Sequence, residues 1–158
     1  MLTKFQNHIA QNFPQLNDKK LLLAVSGGID SMVLMHLFLQ LNYDISIAHC
    51  NFQLRGEESN EDENFVKSAA KKFKIPNYFI QFDTEIYSKE NKLSTQLAAR
   101  KLRYDWFQKL LSENQLDYLV TAHHLDDNVE TFLINFIRGT GLEGLTGIPA
   151  QNGNIIRP

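Results

Sequence analysis

The feature that most constrains this chain is a glycine turn set between an apolar strand pattern and an apolar helix pattern. Residues 21–25 form a compact apolar run, which is typical of a strand buried on both faces of a sheet. The turn that follows consists of Ser26, Gly27, Gly28, Ile29, Asp30 and Ser31. Residues 32–41 are then apolar almost all round a helical circumference, which predicts a helix packed against the sheet.

The same alternation continues along the chain. Further strand patterns lie at 45–49, 77–82 and 116–122. Helical spacing predicts a short helix that ends near Pro14, and a helix with its apolar stripe at 65–73 that follows a capping signal at Ser59 and Asp62. It also predicts a helix of about 20 residues from Ser94, preceded by a polar segment, and one over 129–137.

This order of elements predicts an α/β fold, doubly wound, with a mainly parallel sheet, helices on both faces and right-handed crossovers. Such sheets bind ligands at the carboxyl ends of their strands. Three polar segments follow predicted strands, at 26–31, 49–55 and 123–130. We therefore expect them to meet in one crevice.

Composition excludes several other classes. A chain of 158 residues that is 43% hydrophobic suits one domain. Its formal net charge of -2 carries no basic excess, so any nucleic-acid binding must use local patches. The single cysteine, Cys50, excludes an internal disulfide, a redox pair and a four-thiolate metal site, and we interpret it as a small core residue. No apolar stretch is long enough for a membrane span, so we expect a soluble, cytoplasmic protein.

The glycine turn has the chemistry of a phosphate site. A helix N-terminus presents N–H groups to an anion, and the hydroxyls of Ser26 and Ser31 add donors. The turn has neither the lysine of a Walker A motif nor the spacing of a dinucleotide fold. Asp30 would repel phosphate unless a divalent cation lay between them, which predicts Mg²⁺. The alternative is a plain glycine turn in which Asp30 or Ser31 caps the helix.

A second polar cluster follows the fourth strand and contains His123, His124, Asp126, Asp127 and Glu130. One alternative is ordinary capping, with Asp126 or Asp127 as N-cap and Glu130 completing a capping box. The other is a site: Asp127 and Glu130 lie one helical turn apart and can hold an ammonium group, or one of them can share Mg²⁺ with Asp30.

Four arginines are weaker signals, namely Arg55, Arg100, Arg103 and Arg138. For any one of them a solvated structural role is favoured. Arg100 and Arg103 share a helix face and can meet a phosphate.

The turn at 26–31 resembles the signature of the N-type ATP pyrophosphatases, also called PP-loop enzymes. That resemblance implies an adenine nucleotide α-hydrolase-like fold, a loop that holds the pyrophosphate part of ATP, and transfer of AMP to a substrate. Residues 48–55, 99–104 and 121–149 resemble the tRNA(Ile)-lysidine synthetase family more specifically. Members of that family continue well beyond the equivalent of Pro158, so residues 1–158 are expected to be a catalytic domain whose tRNA-recognition part lies downstream.

The resemblance implies a ligase that forms a carbon–nitrogen bond between free L-lysine and the wobble cytidine of tRNA(Ile). ATP first adenylates the cytidine with release of pyrophosphate, and the lysine amine then displaces AMP. The catalytic residues predicted on this basis are Asp30, Arg103, Asp127 and Glu130, with Asp30 and Asp127 holding Mg²⁺. The predicted ATP-binding residues are Ser26, Gly27, Gly28, Asp30, Ser31, His49, Arg100 and His123.

Two positions depart from the family pattern or vary within it. Phe52 stands where many relatives have a histidine, so that position has no catalytic duty here. Asp126 is variable, which makes Asp127 the better essential carboxylate. A tRNA thiolase of the same superfamily is one alternative, disfavoured because such enzymes usually need paired cysteines. A non-catalytic ATP-binding module is another, disfavoured by the crowded carboxylates. The oligomeric state, monomer or homodimer, stays open.

Overall fold

The computed structural model describes residues 1–122 and 149–158. The helices of this part are α1 (Leu2–Asn12), α2 (Ile29–Gln40), α3 (Glu57–Phe73), α4 (Thr84–Glu90) and α5 (Thr95–Glu113). The strands are β1 (Lys20–Ala24), β2 (Asp44–Asn51), β3 (Asn77–Gln81), β4 (Tyr118–Thr121), β5 (Gln151–Asn152) and β6 (Ile155–Ile156). None of these helices combines the length and the apolar character needed to cross a membrane.

The strands form one sheet in the order β3-β2-β1-β4-β6-β5. β1 pairs in parallel with β2 on one side and with β4 on the other, and β3 and β6 extend the parallel arrangement. Only the β5–β6 pair is antiparallel in the part of the chain described. Strand order reverses between β1 and β4, because β2 and β3 lie on one side of β1 and β4 lies on the other. The predicted, mainly parallel α/β sheet is confirmed.

β1 is buried on both faces, as its apolar run predicts. Leu21, Leu22 and Leu23 are each at most 1% exposed. Leu21 and Leu23 belong to the core built with α1, α2 and α3. Leu22 faces the other way and belongs to a separate core with Phe107 and Leu111 of α5. Helices therefore cover both faces of the sheet, which is the reason why the strand pattern is continuous rather than alternating.

The predicted capping signal before α3 is wrong. The helix begins at Glu57, and its N-cap is Gly56. Ser59 lies inside the first turn, where its hydroxyl accepts a hydrogen bond from the Arg55 N–H at 3.2 Å. Gly56 has φ 54°, and this left-handed conformation turns the chain into the helix earlier than a serine cap would.

The polar segment before Ser94 contains a short helix, α4, which the sequence pattern does not predict. Asp83 caps it, with its carboxylate accepting from the Ile86 N–H at 3.1 Å. Thr84 is its one buried residue and donates its hydroxyl to the Phe52 carbonyl at 2.8 Å. A helix that buries a single polar side chain leaves no apolar stripe to detect.

A buried carboxylate ties α3 to the sheet. Glu63 is 5% exposed and accepts hydrogen bonds from Lys67 (2.5 Å), Asn51 (2.8 Å) and Gln81 (2.9 Å). Burial by itself raises the pKa of the Glu63 carboxyl. The hydrogen bonds from Lys67, Gln81 and Asn51 outweigh it and lower the pKa from 4.5 to about 2.

Replacing Glu63 by glutamine is expected to flatten the acid limb of the stability profile. The folded-state pKa lies below the unfolded value, so the charge stabilises the fold above pH 4.5, and this contribution is lost as pH falls from 4.5 to about 2. The contribution is on the order of 3 kcal/mol in the free energy of unfolding. Urea unfolding of Glu63→Gln at a series of pH values measures it. The control is Glu58→Gln on the same helix, whose exposed pair with Arg55 is worth less than about 1 kcal/mol. If both variants lost the same free energy of unfolding as pH falls, the lowered pKa assigned to Glu63 would be contradicted.

Candidate active site

The turn after β1 is held by its two serine hydroxyls. Ser31 Oγ accepts from the Ser26 N–H at 3.1 Å and donates to the Gly28 carbonyl at 2.9 Å. Ser26 Oγ accepts from the Gly28 N–H at 3.3 Å and lies 3.2 Å from Ser31 Oγ. Since the Ser31 hydroxyl hydrogen is used on Gly28, Ser26 donates in the contact between the two hydroxyls. These four contacts define the shape of the turn.

The helix behind the turn starts on a glycine. Gly28 is the N-cap of α2, and the first helical hydrogen bond runs from the Met32 N–H to the Gly28 carbonyl at 3.1 Å. Asp30 and Ser31 lie inside the first turn, so the alternative in which one of them is the N-cap is wrong. Gly27 has φ 94°, a conformation that side chains rarely adopt. The positive φ of Gly27 bends the backbone into the N-terminus of α2, and a helix N-terminus suits an anion.

A cavity of about 380 Å³ opens beside the turn, at the carboxyl ends of β1, β2 and β4. The turn contributes Ser26, Gly28, Asp30 and Ser31 to its lining. Small side chains in β1 and β2, such as Ala24 and Ala48, leave room for a ligand. The crevice lies where strand order reverses, which is where ligands bind in open parallel sheets.

Helix α5 forms the opposite wall with Arg103, Tyr104 and Phe107. The guanidinium carbon of Arg103 lies 5.2 Å from the centroid of the Tyr104 ring. Its Nε atom is buried and has no hydrogen-bond partner among the residues described. Phe52 adds a further ring and stacks on Phe82, with centroids 5.8 Å apart. The crevice thus combines aromatic surface for a flat ring with the half-buried guanidinium of Arg103 for an anion.

Cys50 lines the same crevice but is not a nucleophile. Burial raises the pKa of its thiol to about 12, and the positive charge of Arg103 offsets only part of that increase. The thiol is protonated at neutral pH, and a protonated thiol is a poor nucleophile and a poor metal ligand. This agrees with the interpretation of Cys50 as a residue without chemistry.

His49 lies beneath the crevice rather than at a strand end. β2 continues to Asn51, so His49 stands inside the strand, where it is 3% exposed. Its Nδ1 lies 2.8 Å from the Val25 carbonyl, which accepts only if Nδ1 carries the hydrogen. His49 therefore holds the last residue before the glycine turn. Direct contact with a nucleotide stays a prediction.

The PP-loop domain family matches the sequence over residues 1–158. The chain belongs to this PP-loop domain family. The match covers every described element, and the glycine turn at 26–31 lies within it.

Two relatives of this chain are both named tRNA(Ile)-lysidine synthase. A tRNA(Ile)-lysidine synthase of Bacteroides thetaiotaomicron is 49% identical over 143 residues, which cover 90% of this chain and 34% of the relative. One from Chlorobaculum tepidum is 44% identical over 159 residues, which cover 98% of this chain and 48% of the relative. The chain thus spans about a third to a half of the length of these relatives. The resemblance stated from the sequence is confirmed.

Among solved structures, an NH3-dependent NAD synthetase of Campylobacter jejuni, in complex with the nitrate ion, is similar to the chain. Its TM-score is 0.58 at 13% identity, and the match covers 75% of this chain and 53% of that one. At this identity the likeness shows the fold alone, and it agrees with the predicted adenine nucleotide α-hydrolase-like architecture.

One side chain beside the PP-loop was not singled out as a site residue from the sequence. A Cβ atom on Gly27 would lie 3.4 Å from the Cβ of Asp62, so α3 packs against the turn. Arg55 holds Asp62 at 3.2 Å and Glu58 at 2.8 Å. The guanidinium of Arg55 is therefore paired with two carboxylates of α3, which agrees with the structural role favoured for this arginine from the sequence. The sequence around Asp62 predicts only a capping residue, because nothing local in it marks a neighbour of the loop.

Several predicted site residues lie outside the described residues, namely His123, His124, Asp126, Asp127, Glu130 and Arg138. Their roles stay predictions. Thr121 and Ala122, which directly precede them, line the crevice. Within residues 1–122 and 149–158, no group of three or more His, Cys, Asp and Glu side chains is arranged to hold a metal ion.

Proposed function

We propose that this chain is the ATP-using catalytic domain of a tRNA(Ile)-lysidine synthase. It would adenylate the wobble cytidine of tRNA(Ile) and join free L-lysine to it in the cytoplasm, with release of pyrophosphate and AMP. The observation that carries the proposal is the PP-loop, held by its two serine hydroxyls, at the mouth of a crevice with an aromatic wall and an arginine whose Nε atom is buried. The relatives named above supply the substrate class.

The loop suits the pyrophosphate part of ATP. Its glycines allow close approach of the backbone, and the N-terminus of α2 supplies a positive dipole end. With the pyrophosphate held there, the α-phosphate would face the crevice, open to attack by the cytidine oxygen. Bond formation at phosphorus would release pyrophosphate and turn the carbonyl oxygen of the base into a leaving group.

Asp30 is the described residue that suits Mg²⁺ at this position. It lies in the first turn of α2 and lines the crevice beside the loop. Mg²⁺ in nucleotide sites is held by one or two carboxylates together with phosphate oxygens and water, so one carboxylate from the described residues is enough. The ion would neutralise the negative charge between Asp30 and the triphosphate. Asp127 stays the predicted second carboxylate.

Arg103 is placed to stabilise the negative charge that would develop at the α-phosphate during attack. Its guanidinium reaches the crevice, and no described carboxylate pairs with it. A fixed cation in a partly desolvated site stabilises an anionic transition state more than it would in water. The second step needs a deprotonated lysine amine, and Asp127 and Glu130 are the carboxylates proposed to bind it and take its proton.

Incorporation of labelled lysine into purified tRNA(Ile) tests the proposal. We expect ATP-dependent incorporation, with one pyrophosphate released per lysine.

Asp127→Asn should lower lysine incorporation at least about tenfold and leave the melting temperature unchanged, because asparagine caps a helix well but does not hold an ammonium charge. An early-melting variant with full lysine transfer would favour the capping interpretation. Transfer of sulfur instead of lysine would favour the thiolase, although the raised pKa of Cys50 opposes it.

A further inference from the structure

A second groove lies beside the crevice, between α5 and the β5–β6 hairpin. Its volume is about 480 Å³. Its lining includes Leu97, Arg100, Tyr104, Gln108, Asn152 and Arg157. Tyr104 lines the crevice as well, so the two cavities share a wall. The described lining of the groove contains no residue of the PP-loop, so the groove is separate from the proposed pyrophosphate site.

Two arginines flank the Tyr104 ring and a third, Arg157, lines the same groove, all without a described acidic partner. The guanidinium carbons of Arg100 and Arg103 each lie 5.2 Å from the centroid of its ring. Arg157 donates through Nη1 to the Pro149 carbonyl at 3.0 Å, and its Nε is buried without a partner among the described residues. None of the ion pairs described within 1–122 and 149–158 involves these three side chains.

Lys101, which follows Arg100 in the sequence, differs from these arginines because it has an acidic partner. Lys101 also lines the groove, but its ammonium group lies 2.7 Å from the carboxylate of Asp105. Its charge is neutralised within the protein. Arg100 and Arg157 therefore carry the net positive charge of this groove, on a chain whose formal net charge is -2.

The remaining lining suits a nucleic-acid strand better than a small anion. Leu97 is 56% exposed, so the groove offers apolar surface next to its cations. A single-stranded nucleic acid needs cations for its phosphates and apolar or aromatic surface for its sugars and bases. Guanidinium groups bind phosphate oxygens with two parallel hydrogen bonds.

We propose that this groove binds the phosphodiester backbone of the RNA next to the nucleotide held in the crevice, with Arg100 and Arg157 on its phosphates. The inference rests on the proposed function, because it takes an RNA as the substrate. Arg103 serves the reacting phosphate, whereas Arg100, outside the described lining of the crevice, positions the strand. This assigns Arg100 to RNA rather than to ATP, for which the sequence alone predicts it.

Binding of the fluorescently labelled anticodon stem–loop of tRNA(Ile), followed by anisotropy over a salt series, tests the inference. Arg100→Gln should weaken binding about fivefold to tenfold near 0.1 M salt and lower the slope of log affinity against log salt by about 1. Arg100→Lys should lose less affinity than Arg100→Gln, since it keeps the charge and gives up only the paired hydrogen bonds. Lys101→Gln is the matched control, removing an adjacent but paired charge, and should change the affinity less than about twofold.

Affinity for a fluorescent ATP analogue, measured on the same variants, separates the possible ligands. We expect Arg100→Gln to leave it unchanged. Equal RNA affinities in Arg100→Gln and Lys101→Gln would overturn the inference, and so would a loss confined to the ATP analogue. Lysine incorporation is a separate measurement. RNA binding that depends on Arg100 without lysine transfer would contradict the proposed function and leave the groove assignment standing.

Discussion

Replacing Gly27 by alanine is expected to lower ATP-dependent pyrophosphate release about 100-fold. Gly27 has φ 94°, which an alanine adopts only with strain, so the turn would relax away from this shape. The N–H groups that face the proposed pyrophosphate would move with it, and the loss of a single aligned donor at a reacting phosphate or carbonyl is worth roughly 100-fold or more. A coupled assay for released pyrophosphate in the presence of tRNA(Ile) measures the rate.

The matched control is Gly153→Ala, in the β5–β6 turn. Gly153 also has a positive φ, 58°, and a Cβ there meets no atom of the described residues within 4 Å. This variant should lose about 1 kcal/mol of stability and keep its rate of pyrophosphate release. If the two variants lose stability and activity in parallel, backbone strain alone accounts for the effect, and the role assigned to the PP-loop is wrong.

Replacing Asp30 by asparagine is expected to lower pyrophosphate release about 100-fold at a fixed concentration of Mg²⁺. The substitution keeps the shape of the side chain and removes the negative charge that would hold the ion beside the triphosphate. A weakened metal site should also respond to more metal, so the rate at high Mg²⁺ should recover in part. Titration of the rate with Mg²⁺ at saturating ATP measures both effects.

Asp44→Asn is the control for the loss of one carboxylate. Asp44 begins β2 at the amino ends of the strands, on the edge of the sheet opposite the crevice. Its replacement should leave the Mg²⁺ dependence unchanged. Mg-ATP turnover in Asp30→Asn equal to that of the original chain would remove Asp30 from the proposed metal site. Asp30 contributes to the dipole of α2 in its first turn, and a change in melting temperature reports that smaller effect.

The elements with strong local patterns were predicted from the sequence. The run at 21–25 and the helix behind the turn need only apolar spacing and glycines to be recognised. The start of α3 and the whole of α4 were missed. At α3 a glycine, not the serine, forms the N-cap, and α4 buries only Thr84, so neither has the signal on which the prediction depends. Asp62 beside Gly27 was missed as a neighbour of the loop because 35 positions of sequence separate them.

By itself the sequence determined the α/β class, the phosphate-binding turn and the family, because each rests on residues that lie close together in the chain. Only the tertiary structure decided which side chains meet. It put Arg103 in the crevice and Arg100 in the groove beside it, on the same Tyr104 ring, and it brought Arg157 into the lining of that groove. Likewise it buried His49 on the Val25 carbonyl, and burial raised the pKa of the Cys50 thiol. These outcomes depend on packing between distant segments and on the desolvation that packing imposes, and neither is encoded in local spacing.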